Sequence, residues 1–376
     1  MSLSKEPLSE SRLSENVRAE NSRPIENQAQ QDIGGSQNQA VGQMSGGQAI
    51  NISGGSVYFQ DSQGRSLEPA MKQKREIPSL LPYLLDRTDQ EFELGQAIQV
   101  MQAQSARHPL LCVVHGDEWQ SHDKFLERLR KVSLPRLMRL NLQQTAIKEY
   151  HLQWPASLKK LDKLPDRLTR NLADEVKNDS FATIQDINRT FGQYPGPVLV
   201  HLHLMTEDWK RLGFGLLPKV LEFWQNWPKL GADQTLIICV FIKYQQYRVK
   251  QSAKRRKRWR LLNPFAWLKR FLKVRRCQKL NSEIAQHLEA LAKTEFNRSD
   301  QLIGVVLPKL DNIGRSHVEE WVRCKETVTF VGEAVAGQLF SAVRKMFDQD
   351  ETLPMDRIAE SLIRLLKDTA VREKEL

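Results

Sequence analysis

The sequence predicts an α/β fold, a parallel sheet with flanking helices, placed behind a disordered N-terminal tail. Three observations carry this. Residues 1–75 are rich in Ser, Gln, Asn, Glu and Gly, and poor in the large apolar side chains that could offset the entropy of ordering a chain. From residue 76 to residue 376, short apolar runs alternate with stretches whose apolar residues recur at helical spacing. Several of these runs are apolar at nearly every position, as strands covered on both faces by crossover helices must be.

The elements follow in order. Leu110–His115 (LLCVVH) reads as a buried strand, and Ser121–Val132 as a helix with Phe125, Leu126, Leu129 and Val132 on one face. Leu137–Leu142 is expected to be a second strand. Leu164, Leu168, Leu172 and Val176 mark one face of a helix, and Phe181, Ile184, Ile187 and Phe191 another. Pro197–Met205 is a strand, Leu216–Trp224 a helix, and Thr235–Tyr244 (TLIICVFIKY) a central strand. Beyond a basic segment come a helix at Ser282–Lys293 and a strand at Leu302–Leu307. Helices follow at His317–Arg323, Glu333–Phe347 and Met355–Val371.

Composition excludes several function classes. The net charge of +11 is concentrated, because 13 Lys or Arg and no acid lie between Tyr247 and Arg276. Without that basic insertion at 247–276 the chain is near neutral. The four cysteines form no CxxC pair, so neither a zinc site nor a disulfide framework is suggested. The N-terminus lacks an apolar signal core, and the longest apolar run, Leu236–Ile242, is far short of the roughly 18 residues of a membrane helix. A cytoplasmic location is the expectation. No Gly-x-Ser-x-Gly, His-Glu-x-x-His or dinucleotide-binding glycine pattern occurs.

The first strand ends in His115-Gly116-Asp117-Glu118-Trp119-Gln120-Ser121-His122-Asp123, directly before a helix. This is where a P-loop would sit, and its pattern G-x4-G-K-[ST] can be laid on from Gly116. Ser121 then replaces the second glycine, His122 the lysine and Asp123 the metal-binding hydroxyl. The loop chemistry needs backbone N–H groups turned toward phosphate, close backbone approach and no nearby negative charge. His122 is shorter than Lys and mostly neutral at pH 7, and Asp117, Glu118 and Asp123 repel a polyanion. Lys124 lies two positions on, on another helical face. The Walker B acid is missing as well: the strand at Val198–Met205 carries His201 and His203, and Glu207–Asp208 come after Thr206 as caps of the next helix. On spacing alone, a degenerate phosphate loop and an ordinary βα loop of an unrelated α/β fold both stand. His201 and His203 share a strand face but lack a third ligand at fitting spacing, so no metal site is assigned.

The wider sequence resembles a known family. Asp86-Arg87 with Gln90, the Gly116-Asp117-Glu118…Gln120…His122 loop, and Phe125…Arg128-Leu129 are similar to the start of the inactive STAND domain of bacterial conflict and signalling proteins. Leu216-Leu217-Pro218…Phe223-Trp224…Trp227-Pro228 and Leu307-Pro308-Lys309-Leu310…Glu320-Trp321 extend the likeness, which runs from about Pro78 to Leu366. The resemblance implies a P-loop NTPase-like sheet without a working catalytic loop. It implies no cofactor, no enzyme activity, and a signalling or scaffold role. Against it stands a nucleotide-binding protein using Lys124 or a basic-segment residue.

Two further segments are candidate interaction surfaces. Residues 37–60 (QNQAVGQMSGGQAINISGGSVYFQ) carry no charge and no Pro, and hold two β-favouring clusters around Ile50, Asn51 and Ile52, and around Val57, Tyr58 and Phe59. Such segments can stack in register through amide ladders, or act as flexible linkers. The part from Gln48 to Phe59 resembles the amyloid signalling motifs of bacterial STAND-type proteins, which implies an effector or homologous protein as partner and a homo-oligomeric assembly. The basic surface comprises Lys254, Arg255, Arg256, Lys257, Arg258, Trp259 and Arg260, then Lys269 and Arg270 on a helix opening at Pro264. Trp267, Leu268, Phe271 and Leu272 share one face of that helix. A helix docked by its apolar face, an anionic membrane surface and nucleic acid are the three readings.

Overall fold

A computed structural model describes residues 40–43, 49–53, 56–60, 76–85, 87–104, 107–141, 145–246, 264–293 and 302–372. The chain divides into two units, Met1–Lys74 and Arg75–Leu376.

The first unit contains a three-stranded antiparallel sheet of β1 (Ala40–Gln43), β2 (Ala49–Ser53) and β3 (Ser56–Gln60), with β2 in the middle. Ile50 pairs with Phe59, Asn51 with Tyr58, and Ser53 with Ser56. Both β-favouring clusters read from the sequence fall in these strands. The expectation of disorder for the rest of the tail, and Gln48 itself, lie outside the described residues.

The second unit holds a five-stranded parallel sheet ordered β5-β6-β7-β4-β8. Its strands are β4 (Leu110–Asp117), β5 (Lys148–His151), β6 (Val198–Met205), β7 (Leu236–Tyr244) and β8 (Ile303–Val306). The apolar runs of β4, β6 and β7 are buried along nearly their whole length, since helices cover both faces. This is the α/β arrangement expected from the sequence, a parallel sheet with flanking helices and β7 central. One face packs α4 (Leu164–Lys177), α5 (Ile184–Phe191) and α7 (Leu216–Gln225) over Val200, Leu202, Ile238 and Val240. The other packs α1 (Thr88–Ala103) and α2 (His122–Arg128) over Cys112, Val114, Cys239 and Phe241. A short helix, α6 (Thr206–Leu212), leaves β6 directly.

Four expectations change. Of the strand expected at Leu137–Leu142, the described residues 137–141 form none. A wide π-type turn at Leu129–Ser133 continues α2 into α3 (Leu134–Leu137), where Ser133 and Arg136 bind Glu91. The second strand is instead β5, a short edge strand in which only Tyr150 is buried. Phe181 does not share the face of α5: Thr183 and Asp186 form a capping box that starts the helix at Ile184, and Phe181 is 95% exposed before it. The helices read at Pro264 and Ser282 are one 30-residue helix, α8 (Pro264–Lys293).

The C-terminal part adds a helical layer with its own core. It comprises a two-stranded ribbon, β9 (Ile313–Gly314) with β10 (Thr352–Leu353), and helices α9 (Arg315–Arg323), α10 (Lys325–Val331), α11 (Glu333–Met346) and α12 (Met355–Arg372). Val318, Trp321, Leu339, Ile358 and Leu362 pack there against Leu81 and Leu85, and the Trp321 indole donates to the Leu81 carbonyl at 2.7 Å. This layer brings α12 to the loop after β4.

Candidate functional site: a phosphate-type loop closed on itself

Gly116 lies within β4, not in the turn after it. It pairs with Lys243 of β7 and bridges to Leu310 on the other side. A Cβ there would stand 2.7 Å from the Leu310 Cβ and 2.8 Å from its carbonyl oxygen. The glycine serves strand packing against the segment after β8, and contributes no open phosphate cradle.

The loop proper spends its polar groups internally. Glu118 donates its backbone N–H to Tyr244 at 3.0 Å, and Gln120 donates to the Asp117 carbonyl at 3.0 Å. Ser121 takes a left-handed conformation (φ 51°) and opens α2. Its hydroxyl donates to the carboxylate of Asp356 in the first turn of α12, and the Asp356 N–H donates to the Trp119 carbonyl at 3.1 Å. A carboxylate from 235 residues away thus sits against the loop. Burial raises the Asp356 pKa, the Ser121 hydrogen bond opposes that, and Glu360 and Asp123 add to the rise.

The residue at the lysine position points inward. His122 is 2% exposed, edge-on to Phe241, and its Nε2–H donates to the Asp117 carbonyl at 3.0 Å. Burial drives its pKa down to about 4, against the pull of that carbonyl, so it carries no charge at neutral pH. Asp123, at the metal-hydroxyl position, is exposed. It pairs with Lys243 at 3.0 Å and lies 3.7 Å from His203 Nε2. Burial raises its pKa, but Lys243 more than offsets this and the net direction is down. Lys124, the cation a nucleotide-binding reading needs, is held by Glu127 at 2.8 Å and lies over the Tyr83 ring.

Residues around the loop tie it and its flanking helices to the rest of the unit. Arg87 donates to Gln120 Oε1 and to the Asp311 carbonyl, both at 3.1 Å, and Gln120 donates to Asn312 at 2.9 Å. Gln90 caps the Pro308 and Lys309 carbonyls at 3.2 Å. Glu91, buried, receives Arg128 at 2.9 Å, Ser133 at 2.7 Å and Arg136. Burial pushes its carboxyl pKa up, and Arg128, Ser133 and Arg136 together bring it below the ordinary value. His115 Nδ1 and the Tyr244 hydroxyl share a hydrogen bond of 2.8 Å under the loop, and burial holds His115 at about 4. Arg87, Gln90, Gln120 and Arg128 were quoted in the sequence only as family motifs. Arg87, Gln90 and Gln120 find partners in the segment after β8, Arg128 finds its own on Glu91 and the Tyr83 and Leu85 carbonyls, and Asp356 gave no local signal at all.

At the end of β6 the acid takes the capping role read from the sequence. Asp208 accepts from the Met205 N–H at 2.8 Å, from the Trp154 indole at 2.9 Å and from Arg211 at 2.6 Å. His201 and His203 of β6 are joined by His151 of β5, whose donor atoms lie within 4.8 Å of theirs. Of the basic surface, Lys254–Arg260 lie outside the described residues, while Lys269 and Arg270 belong to α8.

The comparisons with known proteins agree with this arrangement in one respect. Residues 82–242 match the family model of the inactive STAND domain, which takes in β4 to β7 and the loop. No curated protein matches the chain. Among solved structures it is similar to the Aeropyrum pernix ORC1 protein in complex with DNA, at 12% identity and TM-score 0.34, over 81% of this chain and 66% of that one. It is also similar to Drosophila ORC bound to DNA, at 11% identity and TM-score 0.26, over 79% and 96%.

Proposed function

We propose that this chain is a non-catalytic signalling scaffold of a bacterial conflict or defence pathway. In this reading it assembles through residues 37–60 and uses the inactive STAND-type domain as a folded platform. The observation that supports it most is the closure of the loop after β4. The position of the phosphate-clamping lysine is a buried neutral histidine, and a carboxylate of α12 holds the Ser121 hydroxyl. A nucleotide phosphate would have to displace that carboxylate and meet Asp123 as well. Assembly through the tail draws support from the antiparallel pairing of β1, β2 and β3, since β1 and β3 each leave one edge able to add a strand from another copy or an effector.

The test is assembly of the full chain, followed by thioflavin fluorescence and sedimentation. Wild type is expected to seed fibres. Asn51→Pro, which removes a backbone donor from the middle strand, is expected to stay dispersed with an unchanged melting temperature. Equal dispersal of both chains would remove assembly from the account.

A second reading has one observation in its favour. Near the start of α8, Leu268 is 46% exposed, Phe271 37% and Leu272 43%. The later part of the helix is anchored through Ile284, Leu288 and the Asn281–Thr206 hydrogen bond of 2.6 Å. Exposed Leu and Phe among Lys269, Lys273 and Arg275 suit an anionic membrane surface. Binding to anionic vesicles, weakened by salt and by Phe271→Ser, is the expected result. Preference for oligonucleotide over vesicles would replace the membrane with nucleic acid.

A further inference from the structure

We propose that His151, His201 and His203 form a binding site for a divalent transition cation of the zinc class, with Glu149 as its outer-shell anchor and the open side facing Asp123.

The fold brings the three imidazoles together. His201 and His203 are two apart on β6 and so share one face, and the parallel register sets His151 of β5 opposite His201. The His151 and His201 rings stack at 4.7 Å, and His203 stands edge-on to both at 5.8 and 5.4 Å. A tetrahedral zinc ion with bonds of about 2.0–2.1 Å needs ligand nitrogens about 3.3 Å apart. His201 Nδ1 and His203 Nε2 are already 3.3 Å apart. The donor atoms of all three lie within 4.8 Å of one another, and His151 is the exposed member, the one most able to close the remaining gap.

The surroundings match what such a site requires. Glu149 Oε1 lies 3.2 Å from His201 Nε2, while its other oxygen is held by Arg130 at 2.6 Å. A carboxylate can only accept, so the His201 proton sits on Nε2 and the Nδ1 lone pair is free to face the cluster. This carboxylate–histidine pairing fixes tautomer and ring orientation, as outer-shell partners of metal-binding histidines do. His203 stacks on Phe241 at 5.0 Å, which fixes its ring. Its Nδ1 is buried without a hydrogen-bond partner among the described residues, so Glu149 on His201 is the outer-shell contact of the cluster that the structure shows. Asp123 Oδ1 is 3.7 Å from His203 Nε2 and pairs with Lys243 at 3.0 Å, so it takes the fourth position only by leaving that ion pair, and water is the alternative ligand there. Three imidazoles and a carboxylate, without thiolate, suit zinc and its neighbours better than calcium or magnesium.

The test uses the full chain stripped with a chelator, titrated with zinc chloride against a chromophoric competitor, and examined with cobalt for a tetrahedral absorption spectrum. One zinc ion per chain is expected, with a higher melting temperature on loading. His151→Ala lies on the exposed sheet edge, so its metal-free melting temperature should match wild type while zinc affinity falls at least tenfold. His203→Gln should do the same to affinity, and Glu149→Gln should weaken binding about 10–100-fold. No binding below millimolar zinc, or binding undiminished by His151→Ala, would overturn the site.

Discussion

At the scale of single residues, the loop region is held by groups whose partners are far away in sequence. Glu91 is the clearest case. Its carboxylate neutralises the buried Arg128, which in turn binds the Tyr83 carbonyl at 3.2 Å and the Leu85 carbonyl. Glu91→Gln leaves that guanidinium buried beside an amide, and chemical denaturation should register a loss of about 3–5 kcal/mol. Gly116→Ala tests the packing role assigned to that glycine. The added methyl meets the backbone of Leu310, and overpacking of this kind costs about 1–3 kcal/mol. A neutral result would mean that the segment after β8 yields freely, and that Gly116 is present for another reason.

At the scale of elements, the three long strands and most helices were legible because burial on both faces leaves a continuous apolar run, and burial on one face leaves a 3.6-residue period. β5 was not legible. Its sequence, Lys148-Glu149-Tyr150-His151, has one buried side chain, and an edge strand needs no apolar pattern. Missing β5 also hid His151, so the histidines of β6 looked like a pair. The loop after β4 was legible as a strand-to-helix turn on which a P-loop pattern can be laid with unsuited residues. Its closure was not, because Asp356 and Asn312 reach it only through the packing of α12 and the segment after β8. The start of α8 makes a prediction at this scale. Since Leu268 and Leu272 are exposed, Leu268→Ser with Leu272→Ser should leave the melting temperature within a degree or so of wild type while reducing vesicle binding.

At the scale of the molecule, the chemistry is set by what the sheet buries. His115 and His122 are both held neutral inside it, at about 4 against an ordinary value of 6.5. Below pH 6.5 the unfolded chain takes up protons that the native state refuses until about pH 4. Stability is therefore highest above 6.5 and declines across that window, by at most about 1.4 kcal/mol per pH unit for each histidine. Urea midpoints between pH 7 and pH 5 should fall accordingly, and His122→Asn should make the slope shallower. An unchanged slope would place His122 in contact with solvent.

The central claim of the proposed function is that the loop after β4 receives no nucleotide, and equilibrium binding of a fluorescent ATP analogue with magnesium to the full chain tests it most directly. The account predicts no saturable binding up to millimolar concentration, because His122 is buried and Asp356 occupies the Ser121 hydroxyl. Micromolar binding abolished by Lys124→Ala would contradict it, and would make Lys124, released from Glu127, the phosphate ligand of a working nucleotide site.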